Sequence, residues 1–115
     1  MLNRRNRFSG LGSVRPALKH GQKIRGRRMA ASVLKSRTPH SRFSVLVSKK
    51  VSKKAVVRNR IRRRLFAVIE SELPQLISQP YDVVISVFDK DIAVCPFDQV
   101  ETEVKKLLQR AKLYP

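Results

Sequence analysis

The residues with the most chemical content lie in one run, Lys53-Lys54-Ala55-Val56-Val57-Arg58-Asn59-Arg60-Ile61-Arg62-Arg63-Arg64-Leu65. Lys54, Arg58 and Arg62 are spaced by four, so on a helix they share one row. Arg60, Arg63 and Arg64 widen that row around the polar side, and no carboxylate interrupts it. Like charges at this spacing destabilise an isolated helix by ~0.2–0.5 kcal/mol per pair, so the arrangement asks for an external polyanion. Guanidinium groups make planar, two-point contacts to phosphate. Asn59 can both donate and accept, which suits a ribose hydroxyl or a base edge. The chemistry on offer is recognition of a phosphate backbone.

No other group assembles a reaction centre. His20 and His40 stand apart from any Cys or carboxylate at metal spacing, and a zinc site takes about four such ligands. Cys95 precedes Pro96 without a neighbouring histidine and reads as a small buried residue. Asp89 and Asp91 read as a solvated turn. No Gly-rich phosphate loop occurs. We assign no catalytic residue and no metal ligand to the protein itself.

The elements that must position the basic run sit in a chain of 115 residues, with 26 Lys or Arg, 8 Asp or Glu and a formal charge of +18. Residues 1–64 hold 21 basic side chains and no acid, whereas residues 65–115 hold 5 basic and 8 acidic ones. A compact body so charged repels itself unless a polyanion neutralises it. Nucleic acid fits, because each phosphate contact releases condensed counterions. An anionic membrane surface is the other option, but the basic half carries strand-like segments and not a lone amphipathic helix. The one Cys excludes an internal disulfide and points to a reducing compartment, so a cytoplasmic location is expected. No apolar run approaches the ~18–20 residues that span a bilayer, and Met1-Leu2-Asn3-Arg4-Arg5 opens no secretory signal. A membrane protein, a disulfide-stapled domain and a large self-contained enzyme are excluded.

Residues 1–10 read as a basic flexible arm and 11–115 as a single α+β domain. A short helix is expected from Ser13, as N-cap, to His20, with Pro16 in its first turn and Gly21 as its stop. Residues 22–28 read as a connection or strand entry. Met29 to Leu34 and Arg42 to Ser48 read as strands of an antiparallel hairpin, with the turn at Lys35 to Ser41. A long helix follows to about Leu73, with Val57, Ile61, Leu65, Val68 and Ile69 on its apolar face. The β-branched run Tyr81 to Phe88 reads as a central, well-buried strand. Residues 97–112 form a second amphipathic helix, with Val100, Val104, Leu107, Leu108 and Ala111 inward. The order α-β-β-α-β-α implies a small α/β sandwich with a mostly antiparallel sheet.

The stretch Ser44-Val45-Leu46-Val47-Ser48-Lys49-Lys50-Val51, followed by Ala55-Val56 and Arg58-Asn59-Arg60 with Arg62 and Arg63, resembles the bacterial ribonuclease P protein family. The resemblance covers roughly residues 10–113 and is strongest over 42–66. It implies a ribonucleoprotein endoribonuclease that removes the 5′ leader of precursor tRNA, with the chemistry and the magnesium on the RNA component. It implies an α/β sandwich with a left-handed βαβ crossover. It also implies that Arg58, Asn59, Arg60, Arg62 and Arg63 meet the catalytic RNA, flanked by Lys49, Lys50, Lys53 and Lys54. The family's leader cleft lies between the first helix and the sheet. Its helix aromatics fall here on Val14 and Leu18, with Phe43 as a candidate substitute. The expected partners are the catalytic RNA and precursor tRNA, with no membrane and no protein partner. The alternative is a structural RNA-binding protein such as a small ribosomal protein.

Overall fold

The computed structural model describes residues 3–115. Its regular elements are α1 (Leu11–His20), β1 (Gln22–Arg25), β2 (Met29–Lys35), β3 (Arg42–Val47), α2 (Ala55–Glu72), β4 (Tyr81–Val87) and α3 (Phe97–Arg110). Short 3₁₀ turns occupy Arg4–Asn6, Leu73–Gln75 and Lys90–Ala93. The four strands form one mixed sheet in the order β1-β2-β4-β3.

Alternation along the strands makes a two-sided sheet. Met29, Ala31 and Val33 of β2, Phe43, Val45 and Val47 of β3, and Val83, Ile85 and Val87 of β4 all enter the larger core. That core is closed by Ile61, Leu65, Val68 and Ile69 of α2 and by Val100, Val104, Leu107 and Leu108 of α3. Each helix therefore buries the apolar stripe its sequence carries, and Val57 packs at the margin of α2's stripe. The other face is covered by α1, whose Val14 and Ala17 close on Val84 together with Phe8.

The hairpin expected from β2 and β3 does not form. β4 lies between them, antiparallel to β2 and parallel to β3. The reason lies in β4, where Asp82, Val83, Val84 and Ile85 are all buried in succession. A strand apolar on both faces is stable only with a neighbour on each edge. The link from Ser36 to Ser41 can cross one strand, since six residues reach up to ~20 Å and two strand spacings are ~10 Å. It is tied to the start of β4 by Ser36 N to Pro80 O (3.0 Å) and by Tyr81 N to Ser41 Oγ (3.0 Å). Residues 22–25, expected as a connection or strand entry, form β1 on the far edge.

α1 begins at Leu11 with Gly10 as its cap, rather than at Ser13. Gly10 has φ +89°, a conformation that favours glycine. Pro16 then falls beyond the first turn, where it costs α1 one hydrogen bond to the Gly12 carbonyl. Gly12 and Pro16 are both exposed, so that carbonyl can reach water. Residues 3–8, expected as part of a free arm, lie along β3: Phe8 N donates to Phe43 O (3.2 Å) and Asn6 Nδ2 to Ser41 O (2.9 Å). They cover an edge strand that would otherwise present unpaired backbone groups.

Candidate nucleic-acid interface

α2 divides its circumference between two tasks. Ile61, Leu65, Val68 and Ile69 face the core, and most of the basic residues lie on the outer side of its first half. Lys53, Lys54, Asn59, Arg60 and Arg63 are exposed, Arg58 and Arg62 half-exposed. Lys49 and Lys50 are exposed in the turn that leaves β3. The expected residues therefore run as one ridge from the end of β3 along the outer side of α2. Among the described residues, none of them pairs with a carboxylate. Ion pairs lie elsewhere, among them Arg42 with Asp82 (2.8 Å), Arg28 with Glu103 (3.5 Å) and Lys105 with Glu72 (3.7 Å).

Contacts within the ridge set its shape. Ser52 Oγ accepts from Lys54 N (3.2 Å), and the Ser52 carbonyl accepts from Arg58 Nη1 (2.9 Å), so one residue ties the approach loop to the helix. Arg62 donates to the Asn59 side-chain carbonyl, which leaves the Asn59 amide N–H pair as its outward polar group. The start of α2 carries no acid, and Lys54 is its N-cap without a side-chain capping bond. Helix N-termini favour negative charge by ~0.3–1 kcal/mol per interaction, so a lysine pair there is unfavourable until an anion arrives.

Arg64, read from sequence as part of the basic surface, is used internally. Its Nη1 and Nη2 donate to the carbonyls of Ile92 and Cys95, each at 2.5 Å, and its guanidinium lies 5.7 Å from the Phe97 ring centre. It clamps the segment after β4 onto α2. Arg62 takes part in a second concavity with Arg4, Arg7, Phe8, Ser44 and Phe66. Arg4 and Arg7 are two of the three arginines in residues 1–10, a stretch that the sequence alone reads as a basic flexible arm.

The three leader-cleft candidates are placed differently. Val14 is 1% exposed and Phe43 0%, so neither presents a surface to a ligand. Phe43 shares the face of Val45 and Val47, which is the α2 side of the sheet and the wrong side for a cleft under α1. Leu18 is half-buried with Leu34 and Leu46 beside the smaller core. The aromatic ring on this face is Phe8, with the Arg42 guanidinium 4.6 Å from its centre. Arg42 is held in place by two bonds to Asp82 (2.9 and 2.8 Å), and the hydrogen bond to Asp82 raises its pKa further. Among the described residues, no group of three or more His, Cys, Asp or Glu is placed to hold a metal ion. No helix among them is long and apolar enough to cross a membrane.

Residues 2–112 match the family model described as Ribonuclease P. A "Ribonuclease P protein component" of Synechocystis sp. is 46% identical over 72 residues, covering 63% of this chain and 56% of that protein. The like-named protein of Clostridioides difficile is 31% identical over 113 residues, covering 94% and 96%. The matched stretches thus span little more than half of the Synechocystis (56%) and Cyanothece (60%) proteins, but nearly all of the Clostridioides difficile one (96%). The solved RNase P protein of Staphylococcus aureus superposes with a TM-score of 0.82 at 19% identity, covering 96% of this chain and 98% of that one. The RNase P protein from Thermotoga maritima superposes with a TM-score of 0.77 at 20% identity, covering 89% and 94%. At these identities the solved structures bear on the fold alone.

Proposed function

This chain belongs to the ribonuclease P protein family, and from that premise we propose that it is the protein subunit of a ribonuclease P that matures the 5′ ends of tRNAs. In this reading it binds the catalytic RNA through the α2 ridge, and the holoenzyme removes the leader of precursor tRNA. The RNA component performs the cleavage with its own magnesium ions, and this chain supplies affinity and positioning. The observation that carries the reading is the ridge itself. Lys49, Lys50, Lys53, Lys54, Arg58, Arg60, Arg62 and Arg63 lie on one outer surface, without a carboxylate partner among the described residues.

The RNA contact is assigned by role. Arg60 and Arg63, exposed, make phosphate contacts, while Arg58 and Arg62, already braced within the ridge, hold the fork of donors in register. Asn59 offers its amide to a ribose or base edge. On the opposite face, the leader would pass between α1 and the sheet, near the half-buried Leu18 rather than the buried Val14, Phe8 and Phe43. Stacking on an aromatic is worth ~1–3 kcal/mol per base, and a half-buried leucine in its place gives a weaker grip on the leader.

The rival reading, a structural RNA-binding protein such as a small ribosomal protein, shares the charge but not the preferred RNA. Competition binding separates the two. The chain should hold folded ribonuclease P RNA against an excess of ribosomal RNA fragments of equal length. Equal displacement by both would return the assignment to the rival.

A further inference from the structure

The ridge does not end at α2. Between residues 49–54 and the 3₁₀ turn Lys90–Ala93 lies a cleft of about 590 Å³. The four lysines of the approach loop line one part of it, and Lys90 adds a fifth cation from a segment about forty residues away in sequence. Asp91 is the one carboxylate among the lining residues, and it forms no ion pair with any of these lysines. Its backbone N–H is taken by the Asp89 side chain (2.9 Å), which fixes the turn. Apolar surface comes from Val57, Ala93 and Val94. Val94 is 73% exposed, far more than core packing would leave a valine.

Five cations around one cleft should push its walls apart. The Arg64 clamp on the Ile92 and Cys95 carbonyls prevents that, because it holds the Lys90 segment against α2. The cleft is therefore preformed and positively charged, and part of its wall is aliphatic. Its volume falls in the ~300–1,000 Å³ range of small-ligand sites, which admits a nucleotide and not a double-helical stem. Unpaired nucleotides are the parts of folded RNA whose bases can be splayed onto a protein surface.

We infer that this cleft takes one unpaired nucleotide of the bound RNA, with its phosphate held by Lys90 and the loop lysines and its base laid on Val94. The inference rests on the RNA-binding reading above and adds to it a binding segment, residues 90–94, that lies outside the Arg-Asn-Arg helix. It joins the cleft to the ridge as one surface, so the RNA would contact two elements held together by Arg64.

The test compares Lys90→Ala, Val94→Asp and the helix double variant Arg60→Ala/Arg63→Ala in binding to folded ribonuclease P RNA across a salt series. Lys90→Ala should lower the slope of log affinity against log salt by about 0.7–0.9. Val94→Asp should weaken binding at least tenfold. Both should melt with the parent protein, since both side chains are exposed. Photocrosslinking with 4-thiouridine-substituted RNA should link the 90–94 peptide to a nucleotide outside any stem. Parental binding by either Lys90→Ala or Val94→Asp, or a crosslink to a base-paired nucleotide, would overturn the cleft. If the helix double variant alone loses affinity, the RNA-binding reading stands without the cleft. If it too binds as the parent, that reading falls first.

Discussion

Arg64 directs both terminal nitrogens onto the carbonyls of Ile92 and Cys95, whereas Arg63, its neighbour, is exposed. The two should respond to substitution in opposite ways. Arg64→Ala removes charge-assisted hydrogen bonds worth ~1.5–3 kcal/mol each where they are fully formed. Because Arg64 is half-exposed, a loss of about 1–3 kcal/mol overall is expected in urea denaturation. Arg63→Ala should leave the urea midpoint within about 0.5 kcal/mol of the parent and act on RNA affinity instead. Identical midpoints for the two variants would mean that the clamp contributes nothing. Tyr114 gives a second contrast. Burial, then its hydrogen bond to Glu72 (2.6 Å), pushes the phenol pKa up. In the unfolded chain the phenol ionises near pH ~10, and in the folded protein only above that. Its stabilising effect is therefore complete below pH ~10 and is lost as pH rises beyond. Tyr114→Phe should lower stability at neutral pH and flatten the decline at alkaline pH. Parallel pH profiles of the urea midpoint would contradict this.

At the scale of elements, α1 meets the sheet through Gly21. A Cβ there would fall on the Ala17 carbonyl and within 2.9 Å of the Val33 carbonyl oxygen, both of them backbone. Gly21→Ala should cost about 1–3 kcal/mol, as overpacking does. An unchanged melting temperature would show that α1 is free to shift. The two long helices were legible in the sequence because a stripe at helical spacing has one reading, and the five inward positions expected over residues 97–112 are all buried, although α3 ends at Arg110 and Ala111 follows it as the C-cap. The β2–β3 pairing was not legible. Apolar alternation in each strand says which face is inward but not which strand lies beside it, and the partner of both comes some forty residues after β3 begins. The docking of Asn6 and Phe8 was hidden by the arginines around them, since charge there outweighed a single aromatic. In the site, the type and order of the ridge residues could be read directly. The diversion of Arg64 could not, because its acceptors are backbone carbonyls 28 and 31 residues away. Phe43 was legible as an inward residue of an alternating strand, but not as lying on the α2 side.

For the whole molecule, a charge of +18 on 115 residues governs the response to solution conditions. An anion that binds only the folded ridge stabilises it by mass action. Sulfate or phosphate should therefore raise the melting temperature more than chloride at equal ionic strength, and a response that follows ionic strength alone would show no anion site. The two sheet faces bear separate loads: α2 and α3 close the larger core beneath the ridge, and α1 closes the smaller one on the side proposed for the leader. Together these features amount to one proposal, that the ridge seats the chain on a catalytic RNA and thereby promotes cleavage that the RNA performs. It is tested most directly by cleavage of precursor tRNA by ribonuclease P RNA at low magnesium, with the parent chain, with Arg60→Ala/Arg63→Ala, and with no protein. Leader removal is expected with the parent, markedly less with the double variant, and little without protein. Equal cleavage in all three would contradict the proposal.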